Sequence, residues 1–331
     1  MKPKVTIVVP VYKASRYIER CAKSLFNQSF QEIEYLFVND HTPDDSFVIL
    51  EKLIHELKVD RTKINIIRNA TNLGPAVSRN YALDVAQGEY VLMVDSDDYI
   101  DLNMVEEMYH TARTTQADIV VSDMMLEYSS RVDRFHDFVP ANRADYFVEM
   151  LTNQRTSPSL CNKLIKLSLY KHPECRIKSI SKYMEDKAVC ARLYYFAHQI
   201  AKVDKAFYHY TKTNLDATTH AYSNLHFESI ADFWHQMDAF ICTHAIEIKN
   251  NLLTDLEKVK NKQLLMFAVS AHSLRKQHAF LFRDEELKVW HMLKLSEKMM
   301  IFLIRNKLFI FTNMLKNLVG FKSNFQKKWS E

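Results

Sequence analysis

Residues 90–101 read YVLMVDSDDYID, and this stretch decides the fold. A short apolar run, Tyr90 to Val94, shows no alternation, which is the pattern of a strand buried on both faces. The run is broken by Asp95-Ser96-Asp97-Asp98. An Asp-x-Asp at the end of a buried strand suits the handling of a diphosphate. A diphosphate is a poor leaving group until a divalent cation neutralises it, and hard cations take oxygen ligands. Two carboxylates one residue apart share a turn and face one site. The plain alternative is an acidic turn or a helix-capping cluster, since Asp favours both.

Outward from this stretch, residues 5–122 alternate between strand and helix periods. Val5–Val9 is a β-rich run ending at Pro10, and Ile18, Cys21, Ala22, Leu25 and Phe26 then share one helical face. Tyr35–Val38 is a second run, closed by Asn39-Asp40. Phe47, Leu50, Ile54 and Leu57 mark a second amphipathic helix, with Pro43 and Asp44 near its start. Ile64–Ile67 predicts a third strand and Val77, Tyr81 and Val85 a third helix. Met104, Met108, Thr111 and Ala112 predict another helix, and Ile119–Val121 another strand. This alternation predicts an α/β fold with a mostly parallel sheet covered on both faces. Such sheets bind ligands outside the carboxyl ends of their strands. Those ends carry Pro10-Val11-Tyr12, Asn39-Asp40, Asn69 to Asn72 and Asp95 to Asp98. Further on, Asp145–Leu151 and Lys187–Ala197 read as helices, Ala206–Tyr210 as a short strand, and residues 226–331 as helices only. The expected division is 1–122, 123–225 and a helical appendage over 226–331.

Composition narrows the function. The 331 residues are 47% apolar and 25% charged, enough for one large α/β unit plus an appendage. The 3 glycines leave no glycine-rich phosphate loop. Neither G-x-G-x-x-G nor G-x-x-x-x-G-K-[ST] occurs, which argues against a dinucleotide enzyme or a P-loop NTPase. The 5 cysteines are odd in number and hold no C-x-x-C pair, so neither a disulfide framework nor a zinc cluster is expected. A reducing, cytoplasmic setting is the simplest reading. The N-terminus reads as a strand rather than a secretory signal, and no uncharged apolar stretch reaches the ~18 residues of a transmembrane helix.

Three blocks, VTIVVPVYKASRYIERCAKSLFNQS, EYLFVNDHTPDDS and NLGPAVSRNYALDVAQGEYVLMVDSDD, resemble in order and spacing the family 2 glycosyltransferases of the GT-A fold. The resemblance covers roughly residues 4–122. It implies that 1–122 binds a nucleotide sugar and 123–225 the acceptor. It implies that Pro10, Val11 and Tyr12 pack on the base, that Asp40 hydrogen-bonds a uracil, and that Arg79 helps hold the nucleotide. Asp95 would lie near the ribose and base, with Ser96 in the same contact set. Asp97 would ligate a Mg²⁺ or Mn²⁺ on the diphosphate. The chain departs from the family's Asp-Asp-Gly-Ser after the second strand, where Asn39-Asp40-His41-Thr42 stands. Asn39 can still cap a turn, and His41 reads as a solvent-facing turn residue rather than a metal ligand.

The later half holds a second acid pair, Glu185-Asp186. The plain reading is a helix start, where the dipole favours carboxylates. The resemblance assigns the second acid, Asp186, as the general base that deprotonates an acceptor hydroxyl. It also draws attention to Asn162, Lys163, Tyr208 and His209 as acceptor-side residues, against packing roles for each. No Gln-x-x-Arg-Trp of processive members occurs, which favours single addition.

Residues 298–330 carry Lys298, Arg305, Lys307, Lys316, Lys322, Lys327 and Lys328, no acid, and many aromatics. A basic aromatic helix reads as a membrane-surface element, against a helix packed on the catalytic domain. No nucleic-acid motif accompanies the charge. The combined expectation is an inverting transferase that moves a sugar from a UDP-sugar to a hydroxyl of a glycan or lipid-linked glycan, in surface polysaccharide synthesis. It would be cytoplasmic and peripheral on the inner face of the cell membrane. The rival expectations are a non-catalytic nucleotide-sugar-binding protein and a nucleotidyltransferase.

Overall fold

The computed structural model describes residues 2–140, 143–152, 155–177, 184–214, 224–244, 290, 293 and 295–305. Residues 1–179 with 185–216 form one compact unit, and 217–331 with 180–184 form a second.

The first unit opens with β1 (Val5–Val11), α1 (Ile18–Phe26), β2 (Ile33–Asn39), α2 (Ser46–Glu56), β3 (Ile64–Arg68), α3 (Pro75–Val85) and β4 (Tyr90–Met93). The four strands stand in the order β3-β2-β1-β4, and every pairing among them is parallel. The reason is visible in the side chains: β4 is buried along its whole length and β1 at all but Pro10. Residues buried on both faces need helices on both faces, and parallel strands joined by helical crossovers supply them. The chain runs outward through β2 and β3, then returns to place β4 on the other side of β1. This reversal opens a crevice at the carboxyl ends of β1 and β4, the position where such sheets bind ligands. Pro10 sits where β1 has already parted from β4, whose pairing ends at Val8–Met93, so its missing N–H removes no bond to β4.

The remainder of the sheet is mixed. It comprises β5 (Tyr99–Ile100), α4 (Met104–Thr115), β6 (Ile119–Glu127), β7 (Val132–Phe135), α5 (Arg143–Thr152), β8 (Lys163–Lys166), α6 (Leu167–Tyr170), α7 (Glu185–Phe196) and β9 (Ile200–Thr211). β8 is inserted antiparallel between β4 and β6, and β6 pairs β9 in parallel. β5 pairs antiparallel with the far end of β9, through Tyr99–His209 and Ile100–Tyr208.

The expected α/β class holds, and the helices and strands of 5–122 fall where periodicity placed them. α3 is found where Val77, Tyr81 and Val85 marked it, although Tyr81 and Val85 are each 45% exposed. The buried face is Ala76, Ser78, Arg79, Ala82 and Leu83. Small residues let α3 approach the sheet closely and carry Arg79 inward, which a hydrophobicity count cannot see. β9 is also longer than the expected Ala206–Tyr210.

In the second unit, α8 (Asn224–Thr243) buries Phe233, Trp234, Met237 and Phe240 along one helical stripe. A further helix, α9 (Leu295–Arg305), buries Ile301 and leaves Leu295, Met299 and Phe302 exposed. The basic tail from residue 306 onward lies outside the described residues. No helix among the described residues is long and apolar enough to cross a membrane.

Candidate active site

Three loops at the crevice are tied together before any ligand is considered. Asp44 accepts bonds from the Ser15 amide at 2.9 Å and the Thr42 hydroxyl at 2.7 Å, and the Ser46 hydroxyl also donates to it. Burial opposes its charge, but the Ser46, Thr42 and Ser15 bonds outweigh that and hold its carboxyl well below the usual range. The Lys13 amide donates to the Thr42 hydroxyl at 2.8 Å. The loop after β1 is thereby fixed to the loop after β2, and Tyr12 is presented at 43% exposure. Val11, by contrast, is fully buried core and Pro10 is partly covered, so Tyr12 is the member of that triplet open to a ligand.

The departure at Asn39 to Thr42 keeps the turn. Asn39 Oδ1 accepts from the Thr42 amide at 2.9 Å, a side-chain cap of the expected kind. His41 is exposed at φ 55°, the left-handed region that glycine adopts without cost.

Asp40 is nearly buried, and its carboxylate organises the start of α3. It accepts from the amides of Leu73 and Gly74 at 2.8 Å each and from Asn69 Nδ2 at 2.8 Å. An anion on backbone N–H groups at a helix N-terminus is favourable. Gly74 takes φ 86° there, a conformation that a side chain would strain. Asn69 also donates to the Ser78 hydroxyl at 3.0 Å, while its Oδ1 is buried without a partner among the described residues. A buried acceptor left unpaired beside Asp40 suits a donor from a base edge. Residue pattern marks only the strand end here, not Asn69 itself.

Arg79 is the hub. Its Nη2 donates to Asp95 Oδ1 at 2.7 Å and its Nη1 to Asp186 Oδ1 at 3.1 Å. Burial works against its charge, but Asp186 and Asp95 more than offset that and raise its pKa. Three residues from separate parts of the sequence thus meet on one guanidinium. Asp186 also takes the Leu160 amide, at 3.4 Å, on its other oxygen. Burial raises the Asp186 pKa, with Arg79 pulling the other way. Its neighbour Glu185 is pushed up to about 7 by burial and by Asp186. Both acids do begin a helix, α7; the helix start is what aims Asp186 at Arg79.

The Asp-x-Asp turn is clamped to the end of β9. Asp98 is fully buried and accepts from the Tyr208 hydroxyl at 2.6 Å and the Thr211 amide at 2.7 Å. The Tyr208 oxygen in turn accepts from the Asp95 amide at 3.1 Å. Asn214 Nδ2 donates to Asp97 Oδ2 at 2.8 Å. Arg20 Nη2 donates to the Asp97 carbonyl at 3.0 Å and to the Thr211 hydroxyl at 2.7 Å. Arg20 lies over the Tyr99 ring, and Tyr99 stacks on His209 with centroids 4.2 Å apart. Arg20 and Asn214 carry no mark in the sequence, because their partners are far away along the chain. Ser96 is almost buried within the turn.

The residues present fit a divalent cation at Asp97. Burial and then Asp95 raise the Asp97 pKa, so its charge is under-compensated and a cation would relieve it. No group of three or more His, Cys, Asp or Glu side chains able to hold a metal occurs among the described residues.

The four acceptor-side candidates take packing positions. Asn162 and Lys163 are buried. Lys163 Nζ donates to the Ser157 and Ser159 carbonyls and to Asn162 Oδ1 at 2.6–2.9 Å, and stands 3.7 Å from Asp137. Tyr208 is spent on the acidic turn, and His209 bridges Glu127 at 2.9 Å and Asp101 at 3.0 Å.

The sequence pattern of Glycosyl transferase family 2 matches residues 6–171, half of the chain, and the chain belongs to that family. It is a glycosyltransferase. It is 26% identical over 320 residues to the uncharacterized glycosyltransferase EpsJ of Bacillus subtilis, covering 87% of this chain and 91% of that one. It is 27% identical over 274 residues to the poly(ribitol-phosphate) beta-N-acetylglucosaminyltransferase TarS of Staphylococcus aureus, 81% of this chain and 44% of TarS. In three dimensions it resembles residues 1–349 of S. aureus TarS in complex with UDP-GlcNAc, with a TM-score of 0.62 at 22% identity, over 95% of this chain and 90% of that one. At that identity the likeness is one of fold.

Proposed function

We propose that the enzyme moves a sugar from a UDP-sugar to a hydroxyl of a glycan acceptor, in one displacement that inverts the anomeric centre. The observation that carries this reading is the Arg79 bridge, 2.7 Å to Asp95 on the donor side and 3.1 Å to Asp186 on the other. It sets a carboxylate able to accept a proton beside a nucleotide-binding turn. The donor class draws support from the UDP-GlcNAc complex of TarS and from the unpaired Asn69 Oδ1 beside Asp40.

In this reading Tyr12 packs against the base, Asp40 and Asn69 meet its polar edge, and Asp95 faces the ribose. Asp97 holds Mg²⁺ or Mn²⁺, which when bound supplies positive charge to the diphosphate. Residues 123–225 receive the acceptor. Asp186 takes the proton of the acceptor hydroxyl as that oxygen attacks the anomeric carbon from the face opposite the diphosphate. Burial raises the Asp186 pKa and so strengthens it as a base, with Arg79 pulling the other way. The acceptor would be a surface glycan or a related polymer, and the relatives named as poly(ribitol-phosphate) glycosyltransferases lend support to a polymeric acceptor. A peripheral contact with anionic membrane is supported by the basic, acid-free stretch 298–330.

The test is UDP release from a panel of UDP-sugars with Mn²⁺, with and without a glycan acceptor. Acceptor-stimulated UDP release with a β/α change at the anomeric carbon is expected. Pyrophosphate release from UTP, or binding with no turnover, would replace the reading by one of its rivals.

A further inference from the structure

Lys212 follows β9 directly, within the short segment that fastens β9 to the Asp-x-Asp turn. Its neighbours are committed to that turn: the Thr211 amide bonds Asp98 at 2.7 Å and the Asn214 side chain bonds Asp97 at 2.8 Å. The Lys212 ammonium lies over the Tyr210 ring, 4.4 Å from its centroid. Burial, and after it Asp98, Asp95 and Asp97, push the Tyr210 hydroxyl well above the ordinary tyrosine range. Strand alternation puts Tyr208 and Tyr210 on one face of β9, the face whose Tyr208 hydroxyl reaches Asp98.

The other lysines of β9 are paired, Lys202 with Asp123 at 3.1 Å and Lys205 with Glu107 at 2.7 Å. Lys212 has no ion-pair or hydrogen-bond partner for its ammonium among the described residues. It is only partly exposed, and burial pulls its pKa down to about 8. Asp98 offsets part of that burial without bonding the ammonium directly, and a half-buried ammonium short of a direct partner gains when an anion arrives. The opposite shortage exists for the incoming ligand. A diphosphate brought next to Asp95, Asp97 and Asp98 needs positive charge beyond the single cation read at Asp97, and Arg79 is already shared between Asp95 and Asp186.

We propose that Lys212 is a donor-binding residue whose ammonium meets the diphosphate of the nucleotide sugar and stabilises it as it leaves. This rests on the UDP-sugar reading above. Charge placed where the leaving group gains charge accelerates the displacement as well as binding.

The experiment compares wild type, Lys212→Met and Lys212→Arg by calorimetric titration with UDP and, separately, uridine. Lys212→Met should weaken UDP by about tenfold or more, the worth of one charged hydrogen bond, and leave uridine unchanged. Lys212→Arg should retain most of the UDP affinity. Steady-state assays should show kcat falling as well as KM rising in Lys212→Met. Should that variant melt early, Lys212→Gln takes its place with the same expectation. Equal UDP affinity in wild type and the neutral variant overturns the proposal and leaves the lysine as a cover for Tyr210. A wild type that binds neither UDP nor uridine overturns the UDP reading itself, and Lys212 with it.

Discussion

The two halves of the sheet dispose of their polar residues in opposite ways. In the first, Tyr12, Asp95 and Asp97 stand at the carboxyl ends of parallel strands, partly open to solvent, and each keeps bonding capacity for a ligand. In the second, Asn162, Lys163 and Tyr208 are also polar but are buried and bonded to one another, to Asp137 or to Asp98. The difference is one of cover rather than of edge. Parallel strands all end at one edge, so the loops leaving them gather there. β8 runs antiparallel to β4, so its start also lies beside the carboxyl end of β4, but Asn162 and Lys163 are fully covered there and find internal partners. Asp186 is the exception in the second half, because it sits on a helix start rather than in the sheet.

The largest effect that would break this contrast is at Asp97. Asp97→Ala should leave the fold intact and lower transfer by about 10³-fold or more, since a cation on the diphosphate is worth several kcal/mol. Titrating Mn²⁺ against activity checks it, and near-wild-type turnover in EDTA would remove the metal role.

Lys163 sharpens the contrast from the other side. Lys163→Met leaves Asp137 buried without its cation, and should cost about 3–5 kcal/mol of stability in urea unfolding. Adding Asp137→Asn should recover part of it. A stable Lys163→Met protein with a raised KM for acceptor would return this residue to the acceptor site.

The smallest effect concerns Glu185. Its folded pKa of about 7 lies above the ordinary 4.5, so the folded state holds the proton more tightly. Stability should therefore be greatest below about 4.5 and fall as pH rises through about 7. Relative to Glu185→Gln, the wild-type melting temperature should drop across that window. Parallel melting curves would show that the acid is well solvated.

Much of the donor side is legible in the sequence, because a buried strand followed by Asp-x-Asp needs only local pattern to be noticed. The roles of Asp40, Arg79 and Asp95 enter through resemblance, and the structure adds the bond that joins Arg79 to Asp95 and those that tie Asp40 to the start of α3. The hidden part depends on partners distant in sequence. Arg20 reaches the carbonyl of Asp97, and Asn162 reaches Asp137, neither of which any window spans. β5 and β8 are too short, at 2 and 4 residues, to show a period. The inner face of α3 departs from its apolar pattern because a buried arginine and small residues displace the larger apolar ones.

The central claim is that Asp186 is the proton acceptor, and Asp186→Asn tests it most directly. The substitution keeps size and removes the negative charge. UDP affinity and transfer rate should be measured on the same preparation after a melting curve confirms the fold. A proton-accepting Asp186 predicts a fall in kcat of about 10²–10⁴-fold, the usual worth of a positioned base, with UDP affinity nearly unchanged. A folded Asp186→Asn enzyme that turns over like wild type would contradict it and leave the Arg79 bridge a structural link.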